Sequence, residues 1–281
     1  MTYPVFSRLR GLDGPAQVAG FLLLFFVLLS IAGPWLPLGD PEEIGAGPRL
    51  DPPSWEFLLG TDELGRSFLP RAVEGIRTTF FLSTLAVLLT GAVSTLIGMI
   101  AAYRGGLLDI VIIRLADVLF SFPAIVMGLL ISALLGPGML PAMLVISIAT
   151  LPLFVRVARA ISLGVAGREF VIVAEVAGAS TARILLVHVF PNIAGAIVVQ
   201  LTYAISLGML IESGISFLGL GTQLPHASLG SLLHIGTAYL TAAPWLTLAS
   251  GALLSLIITS INLLGDGLRD LIEPIEAKTL T

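Results

Sequence analysis

Six long apolar stretches constrain the fold of this chain more than any other feature of its sequence. Hydrophobic residues make up 56% of the chain and charged residues 11%, and the mean hydropathy is +1.02. A soluble domain has about a quarter of its residues charged, and a helix needs about 20 apolar residues to cross a bilayer. Helices satisfy their own backbone hydrogen bonds in lipid, so we predict an all-α membrane protein with six transmembrane helices. The predicted spans are approximately residues 16–37, 79–102, 110–135, 139–159, 193–214 and 244–265.

The basic residues are distributed unevenly between the two sides of this predicted bundle. Six spans place both termini and the loop between spans 4 and 5 on one side. Lys and Arg favour the cytoplasmic side of a membrane, and the opposite side is rich in acidic residues, so we predict that both termini are cytoplasmic. The basic residues of the predicted cytoplasmic side are Arg8, Arg10, Arg104, Arg156, Arg159, Arg168, Arg183, Arg269 and Lys278.

The loop between spans 4 and 5, residues 160–192, is the most informative polar segment, and it is called the 4–5 loop below. Charged residues place it in water, and Gly178 divides it into two predicted short helices. Its apolar positions would leave a face to bury against a soluble partner. The residues expected to form this docking surface are Arg168, Glu169, Phe170, Val171, Ala174, Gly178, Ala179, Ser180, Ile184, His188 and Pro191.

This segment resembles the coupling loop of ATP-binding-cassette importer permeases in the peptide and nickel branch. The pattern of that family is Glu-Ala-Ala, three residues, a glycine, nine residues and Ile-x-Leu-Pro. Ala174, Gly178 and Pro191 match it at the required spacing. The positions that depart from it are Ile172, Val173, His188 and Phe190.

Three more segments are similar to the same permease branch. Residues 60–67 read Gly-Thr-Asp-Glu-Leu-Gly-Arg-Ser, where Thr61 or Asp62 is predicted to cap a following short helix and Gly65 to permit a tight turn. Ser67 replaces the usual aspartate. Residues 212–221 and 262–270 match the segments that follow span 5 and close span 6. After the first of these, Leu229 stands where the branch usually has tryptophan, a change expected to remove a large surface aromatic.

The resemblance implies a type I importer permease fold with a cytoplasmic coupling-helix loop between spans 4 and 5. It implies an N-terminal tail, first span and external loop over 1–78, a five-helix permease core over 79–274, and a cytoplasmic tail over 275–281. The implied partners are a second permease subunit in a heterodimer, two ATPase subunits and an extracytoplasmic substrate-binding protein, assembled in a bacterial inner membrane. The implied cargo is di- or oligopeptides, with nickel, glutathione or another small solute as the alternative.

Motifs for catalysis or for a cofactor are not found in the sequence. It has no Gly-x-x-x-x-Gly-Lys-Ser/Thr phosphate loop, and its single lysine is Lys278. Cysteine is absent, and the three histidines (His188, His226 and His234) are scattered without metal-ligand spacing. We therefore expect no cofactor, metal site, catalytic residue or nucleic-acid partner, and the resemblance assigns ATP and magnesium to the partner ATPase subunits.

Ionisable residues inside or near the spans are candidates for function, because charge is costly in lipid. Glu212, at the outer end of span 5, is expected either to line the translocation path or to reach water or a partner subunit near the interface. Arg114 and Asp117, three residues apart at the start of span 3, are expected to pair with each other or to anchor the interface.

Pro123 and Pro152 interrupt apolar helices and are expected to kink them. Small residues at three- and four-residue spacing on span 2 indicate close helix packing. These residues are Gly91, Ser94, Thr95 and Gly98.

Two other classes of membrane protein remain open. A secondary transporter would need ion-coordinating groups at mid-membrane, whereas Asp117 and Glu212 lie near span ends. A non-transporting scaffold would have the hydrophobicity without needing the permease-like segments.

Overall fold

The computed structural model describes residues 14–272, and the helices in that range are joined by short loops apart from a longer one after the first. The basic residues Arg8, Arg10 and Lys278 and the predicted tail at 275–281 lie outside the described residues. The helices are α1 (Gly14–Ala32, followed by a 3-10 turn Gly33–Trp35), α2 (Phe68–Arg104), α3 (Gly106–Phe120), α4 (Ala124–Leu135), α5 (Met139–Ala166), α6 (Glu169–Val176), α7 (Thr181–Phe217), α8 (Leu229–Ala238) and α9 (Pro244–Ile272).

The span count confirms a helical membrane protein but corrects the third span. Within residues 14–272, five helices are long and apolar enough to cross a membrane, and α3 with α4 makes a sixth if the pair is one span. The predicted span over 110–135 consists of two helices, because α3 and α4 are bent by 85°, and this bend confirms the kink expected at Pro123. Pro123 lies at the bend with an extended backbone (ψ 133°), and it lacks the N–H that a continuous helix needs. Pro152, by contrast, lies inside the single span α5.

Two spans extend well beyond the predicted apolar stretches. α2 begins at Phe68 and not near residue 79, and α7 begins at Thr181 and not near residue 193. Each has 37 residues, or about 55 Å of helix, against a hydrocarbon layer of about 30 Å. A prediction based on hydropathy ends a span at the first charged residues, whereas the helix itself continues beyond the apolar stretch.

Close packing of α2 on α5 confirms the role expected for the small residues of span 2. Gly91, Ser94, Thr95 and Gly98 are all buried. A Cβ atom on Gly98 would lie 2.7 Å from the carbonyl oxygen of Val155 and 2.8 Å from the Cβ of Ala158. The two helices therefore meet backbone to backbone at Gly98.

Replacing Gly98 with alanine is expected to lower the thermal midpoint of the detergent-purified chain by several degrees. The added methyl would push against backbone atoms of α5, and such overpacking costs about 1–3 kcal/mol. Gly164→Ala is the matched control, since a Cβ at Gly164 meets no atom within 4 Å. Equal midpoints for the two variants would contradict this account of the α2–α5 contact.

Two ion pairs tie α3 to α5. The guanidinium of Arg159 binds both carboxylate oxygens of Asp109. Arg156 Nη2 donates to Asp117 Oδ1 at 2.6 Å, while Arg114 lies 3.8 Å from the other oxygen of Asp117. The expected pairing of Arg114 with Asp117 is thus secondary, because a closer arginine arrives from a helix distant in sequence.

The sequence analysis missed α8, a short apolar helix between spans 5 and 6. Ser228 begins it with a capping box, in which the Ser228 hydroxyl accepts the Ser231 N–H and the Ser231 hydroxyl accepts the Ser228 N–H. Leu229 is fully buried in one cluster with Ile76 of α2 and Met209 of α7. The expectation that position 229 is a surface position was wrong, because α8 folds back between the spans.

Candidate functional site

The turn at Gly178 sets the geometry of the 4–5 loop. Helix α6 ends with two bonds of a Schellman motif, from Gly178 N–H to the Glu175 carbonyl (2.9 Å) and from Ala179 N–H to the Ala174 carbonyl (3.0 Å). Gly178 has φ +79°, in the left-handed region that favours glycine. Ser180 then caps α7, its hydroxyl accepting the Arg183 N–H at 3.3 Å. The predicted break at Gly178 is confirmed.

The second half of the 4–5 loop was expected to be a separate short helix. In the structure it is the first part of α7. A π-helical segment, Ile184–Val189, leads into the α-helix Phe190–Phe217 without a break. Pro191 near this junction has no N–H to donate to the preceding turn, and a wider π turn accommodates its ring. Movement of the loop would therefore be carried directly into span 5.

Part of the expected docking face is buried in the core of the chain itself. Val171 of α6 and Ile184 of α7 are at most 1% exposed. They belong to one apolar cluster with Met99 of α2 and Ala158 of α5. The expectation that these two side chains fill a partner's cleft was wrong, since they attach the loop to the spans.

Other apolar residues of α6 are exposed. Ile172, Val173 and Val176 have 50%, 66% and 84% of their surface exposed, and Phe170 has 39%. Positions three or four residues apart on a helix are neighbours, and the pairs 170/173, 173/176 and 172/176 therefore join these four residues into one patch. We call these four residues the α6 patch. Ile172, Val173 and Val176 were not among the predicted docking residues. Positions 172 and 173 were compared with the family pattern, and the periodicity of the helix, which would also have indicated Val176, was not used.

Polar contacts fix the remaining loop residues. The Tyr103 hydroxyl of α2 donates to Glu175 at 3.2 Å, and Arg104 lies 3.5 Å from the Thr181 hydroxyl. The rings of Phe170 and His188 are 6.5 Å apart, which brings the two halves of the loop together. Of the other predicted residues, Ala174 and Ala179 are partly buried, whereas Arg168, Glu169, Ser180 and Pro191 are exposed.

Glu212 lies inside the bundle, near the end opposite the 4–5 loop. Its side chain has no exposed surface, so it does not reach water. Its carboxylate accepts hydrogen bonds from Thr79 of α2 (2.9 Å) and Ser216 of α7 (2.6 Å). The Thr79 hydroxyl in turn accepts the Leu229 N–H at 3.1 Å. Glu212 thus joins α2, α7 and α8, and a role in the translocation path stays a prediction.

The segment at 60–67 forms a buried ionic turn. Gly65 has φ +72° and confirms the predicted tight turn. The predicted capping role was wrong, because Ser67 is the residue that precedes α2 and no side chain caps that helix. Asp62 instead accepts the backbone N–H groups of Leu64 and Arg66, and its second oxygen contacts the guanidinium of Arg66 at 2.6 Å.

Comparisons with known proteins agree with this architecture. Residues 94–275 match the family model described as binding-protein-dependent transport system inner membrane component. The chain is 34% identical to the dipeptide transport system permease protein DppC of Haemophilus influenzae over 275 residues, which cover 96% of this chain and 92% of that relative.

Two further relatives carry similar names. The di/tripeptide transport system permease protein DppC of Pseudomonas aeruginosa is 34% identical, with 90% of this chain and 85% of the relative covered. The dipeptide transport system permease protein DppC of Alkalihalophilus pseudofirmus is also 34% identical, with 92% and 85% covered. The chain therefore belongs to the family of binding-protein-dependent transport system inner membrane components, the membrane permease subunits of ATP-binding-cassette importers.

Proposed function

We propose that this permease forms half of the translocation path for di- or oligopeptides, and that its 4–5 loop couples the path to ATP hydrolysis by separate ATPase subunits. The α6 patch is the observation that carries the coupling proposal. An exposed apolar patch of this kind at the polar end of a helix bundle is typical of a surface that another protein covers. The peptide cargo is inferred from the names of the relatives, which are dipeptide or di/tripeptide transport permeases.

The proposed complex contains a second permease subunit, two ATPase subunits and an extracytoplasmic binding protein. ATP and magnesium bind the ATPase subunits, and this chain supplies the membrane path. We infer that the second permease is a different chain, since the sequence at 60–67 is similar to the signature of one of the two permease types in this branch.

The distribution of arginine supports a cytoplasmic position for the 4–5 loop. Arg168 and Arg183 lie in this loop, and Arg104 lies at the end of α2 beside it; all three are exposed. At the opposite end, Arg49 and Arg77 are exposed, whereas Arg66 and Arg71 are buried against Asp62. The excess of exposed positive charge at the loop end supports the cytoplasmic orientation.

Packing of the loop on the spans supports a rigid-body mechanism. Val171 and Ile184 attach both halves of the loop to α2 and α5, and α7 continues from the loop into span 5. When two ATPase subunits close on ATP, displacement of the α6 patch would move these spans together. The path then switches between two states that the nucleotide biases by differential contacts.

Replacement of Val176 with aspartate tests the docking surface. Val176 is 84% exposed, so the variant should insert normally, but a carboxylate inside an apolar contact would weaken ATPase binding. The tagged chain is purified in mild detergent and its associated subunits are quantified. We expect the second permease to be retained and the ATPase subunits to be lost.

Trp55→Asp is the matched control, since Trp55 is 97% exposed on the loop at the opposite end of the bundle. This variant should keep its ATPase subunits. If Val176→Asp also keeps them, with normal transport, the proposed docking surface is wrong.

A separate measurement tests the peptide cargo. In the wild-type complex with its binding protein, stimulation of ATPase activity by nickel salts or glutathione, and not by dipeptides, would overturn the peptide assignment.

A further inference from the structure

At the end of the bundle opposite the 4–5 loop, three side chains from separate segments converge. Glu42 comes from the loop after α1, Glu74 from the first turns of α2, and His226 from the loop before α8. One ligand atom from each lies within 4.8 Å of the other two. His226 Nδ1 is 3.1 Å from Glu74 and 3.7 Å from Glu42, so a single ring nitrogen faces both carboxylates.

We propose that Glu42, Glu74 and His226 bind a divalent transition-metal ion of the zinc type. Imidazole nitrogen and carboxylate oxygen are common ligands of such ions, and three protein ligands leave further positions for water or an exogenous group. Zinc bonds of about 2.1 Å place tetrahedral ligands roughly 3.4 Å apart. The observed separations therefore need only small side-chain adjustments, and Glu42 and His226 are exposed enough to make them.

One oxygen of the Glu74 carboxylate is buried without a partner in the described part of the chain. This atom, Oε2, has no accessible surface and, among the described residues, no hydrogen-bond partner. Such a buried acceptor carries a desolvation cost unless something binds it. The other oxygen, Oε1, is the one that lies 3.1 Å from His226 Nδ1, so a cation that satisfies Oε2 has to bind both oxygens of the Glu74 carboxylate.

Arg71 holds two of the three ligand-bearing segments in place. It is fully buried on α2, one turn before Glu74. Its Nη1 contacts the carbonyl oxygen of Pro41 at 3.2 Å and that of Pro225 at 3.5 Å. These prolines directly precede Glu42 and His226, so the same guanidinium positions the backbone beside both ligands. Outer contacts of this kind orient the ligands at metal sites.

A cavity of about 370 Å³ adjoins the site and gives access to solvent. Glu42, Glu74 and His226 all line it, together with the guanidinium-bearing Arg77. Arg77 opposes a bound cation, but its side chain is exposed, whereas the two carboxylates converge on the histidine. An ion bound there would join the loop after α1, the start of α2 and the loop before α8.

Titration of the full-length chain with Zn²⁺ tests the site. The protein is purified in detergent with a tag that lacks histidine, is treated with a chelator, and is then followed by calorimetry and by its thermal midpoint. We expect one Zn²⁺ per chain and a higher midpoint with the ion. His226→Gln and Glu74→Gln should each lower the association constant about tenfold or more and remove the shift in the midpoint.

Two neighbouring changes serve as controls. Glu43→Gln removes the carboxylate next to Glu42, and His234→Gln removes a histidine that is not one of the proposed ligands, so both variants should bind Zn²⁺ as the wild type does. Failure of the wild type to bind Zn²⁺ would mean that His226 only makes a hydrogen bond to Glu74, which overturns the proposal. Binding that persists when Glu42, Glu74 and His226 are all replaced by glutamine would overturn it as well.

Discussion

Gly178→Pro is expected to abolish peptide uptake by the assembled transporter while the permease still inserts and pairs with its partner subunit. Gly178 has φ +79°, whereas proline fixes φ near −65°. The variant also loses the Gly178 N–H bond to the Glu175 carbonyl. The angle between α6 and α7 would change, and the α6 patch would no longer move together with span 5.

The measurement is uptake of a labelled dipeptide in proteoliposomes, with ATP hydrolysis followed in parallel. We expect uptake at background and ATP hydrolysis that no longer responds to the substrate-loaded binding protein. Gly178→Asn is the matched control, because asparagine tolerates the left-handed region and a Cβ at this position meets no atom within 4 Å. Coupled uptake at the wild-type level by Gly178→Pro would show that this turn does not transmit the motion.

Features that depend on local chemistry were predictable from the sequence. The apolar stretches identified the spans, and the positions of Gly178 and Gly65 identified turns with positive φ. In each case the cause lies within a few neighbouring residues, namely enough apolar side chains to cross a bilayer or a glycine where the backbone becomes left-handed.

Features that depend on packing between distant helices were not predictable. Pro123 indicated a kink, but the 85° bend also depends on how α3 is held to α5 by Arg156 and Arg159. Val171 and Val173 are both apolar residues of the same short helix, yet one is buried and the other exposed. Which of them faces the core depends on where α2 and α5 lie, and the loop sequence does not encode that position by itself.

The candidate site was predicted only in outline, because part of it depends on local sequence and part on packing between distant helices. The 4–5 loop was identified by its charges and its glycine, whereas its exposed patch required the orientation of α6. Glu212 stood out as an acid in an apolar span, but its bonds to Thr79 and Ser216 join positions distant in sequence. A lone sequence gives no signal for such long-range pairing between helices.

Asp62→Ala is expected to cause the largest loss of stability of any single change proposed for this chain. Asp62 is 1% exposed and binds two backbone N–H groups and the side chain of Arg66. Its carboxylate also lies 3.4 Å from Nε of the fully buried Arg71. Removing one partner of a buried ion pair costs about 3–5 kcal/mol, because the remaining charge is left without compensation.

The thermal midpoint of the detergent-purified chain measures this loss, and we expect a decrease on the order of 10 °C. Glu63→Gln is the matched control. Glu63 contacts Arg66 at 3.0 Å, and glutamine keeps an oxygen at that position, so this change should cost less than Asp62→Ala, which removes the carboxylate altogether. A midpoint for Asp62→Ala within about 2 °C of the control, at roughly 2–4 °C per kcal/mol, would contradict the ionic account of this turn.

A double variant separates the unpaired charge from simple loss of the turn. If Arg71 is the origin of the cost, replacing it with methionine in the Asp62→Ala background should recover part of the lost stability, because a buried pair replaced by apolar residues is often tolerated. If the backbone bonds, the closer ion pair with Arg66 or the contacts of Arg71 itself to Pro41 and Pro225 dominate, the double variant should be no more stable than Asp62→Ala. Asp62→Asn keeps an oxygen for those backbone bonds and removes the charge, so its midpoint should lie between those of the wild type and Asp62→Ala. A midpoint for Asp62→Asn equal to the wild type would assign the stability to the backbone bonds, and one equal to Asp62→Ala would assign it to the charge.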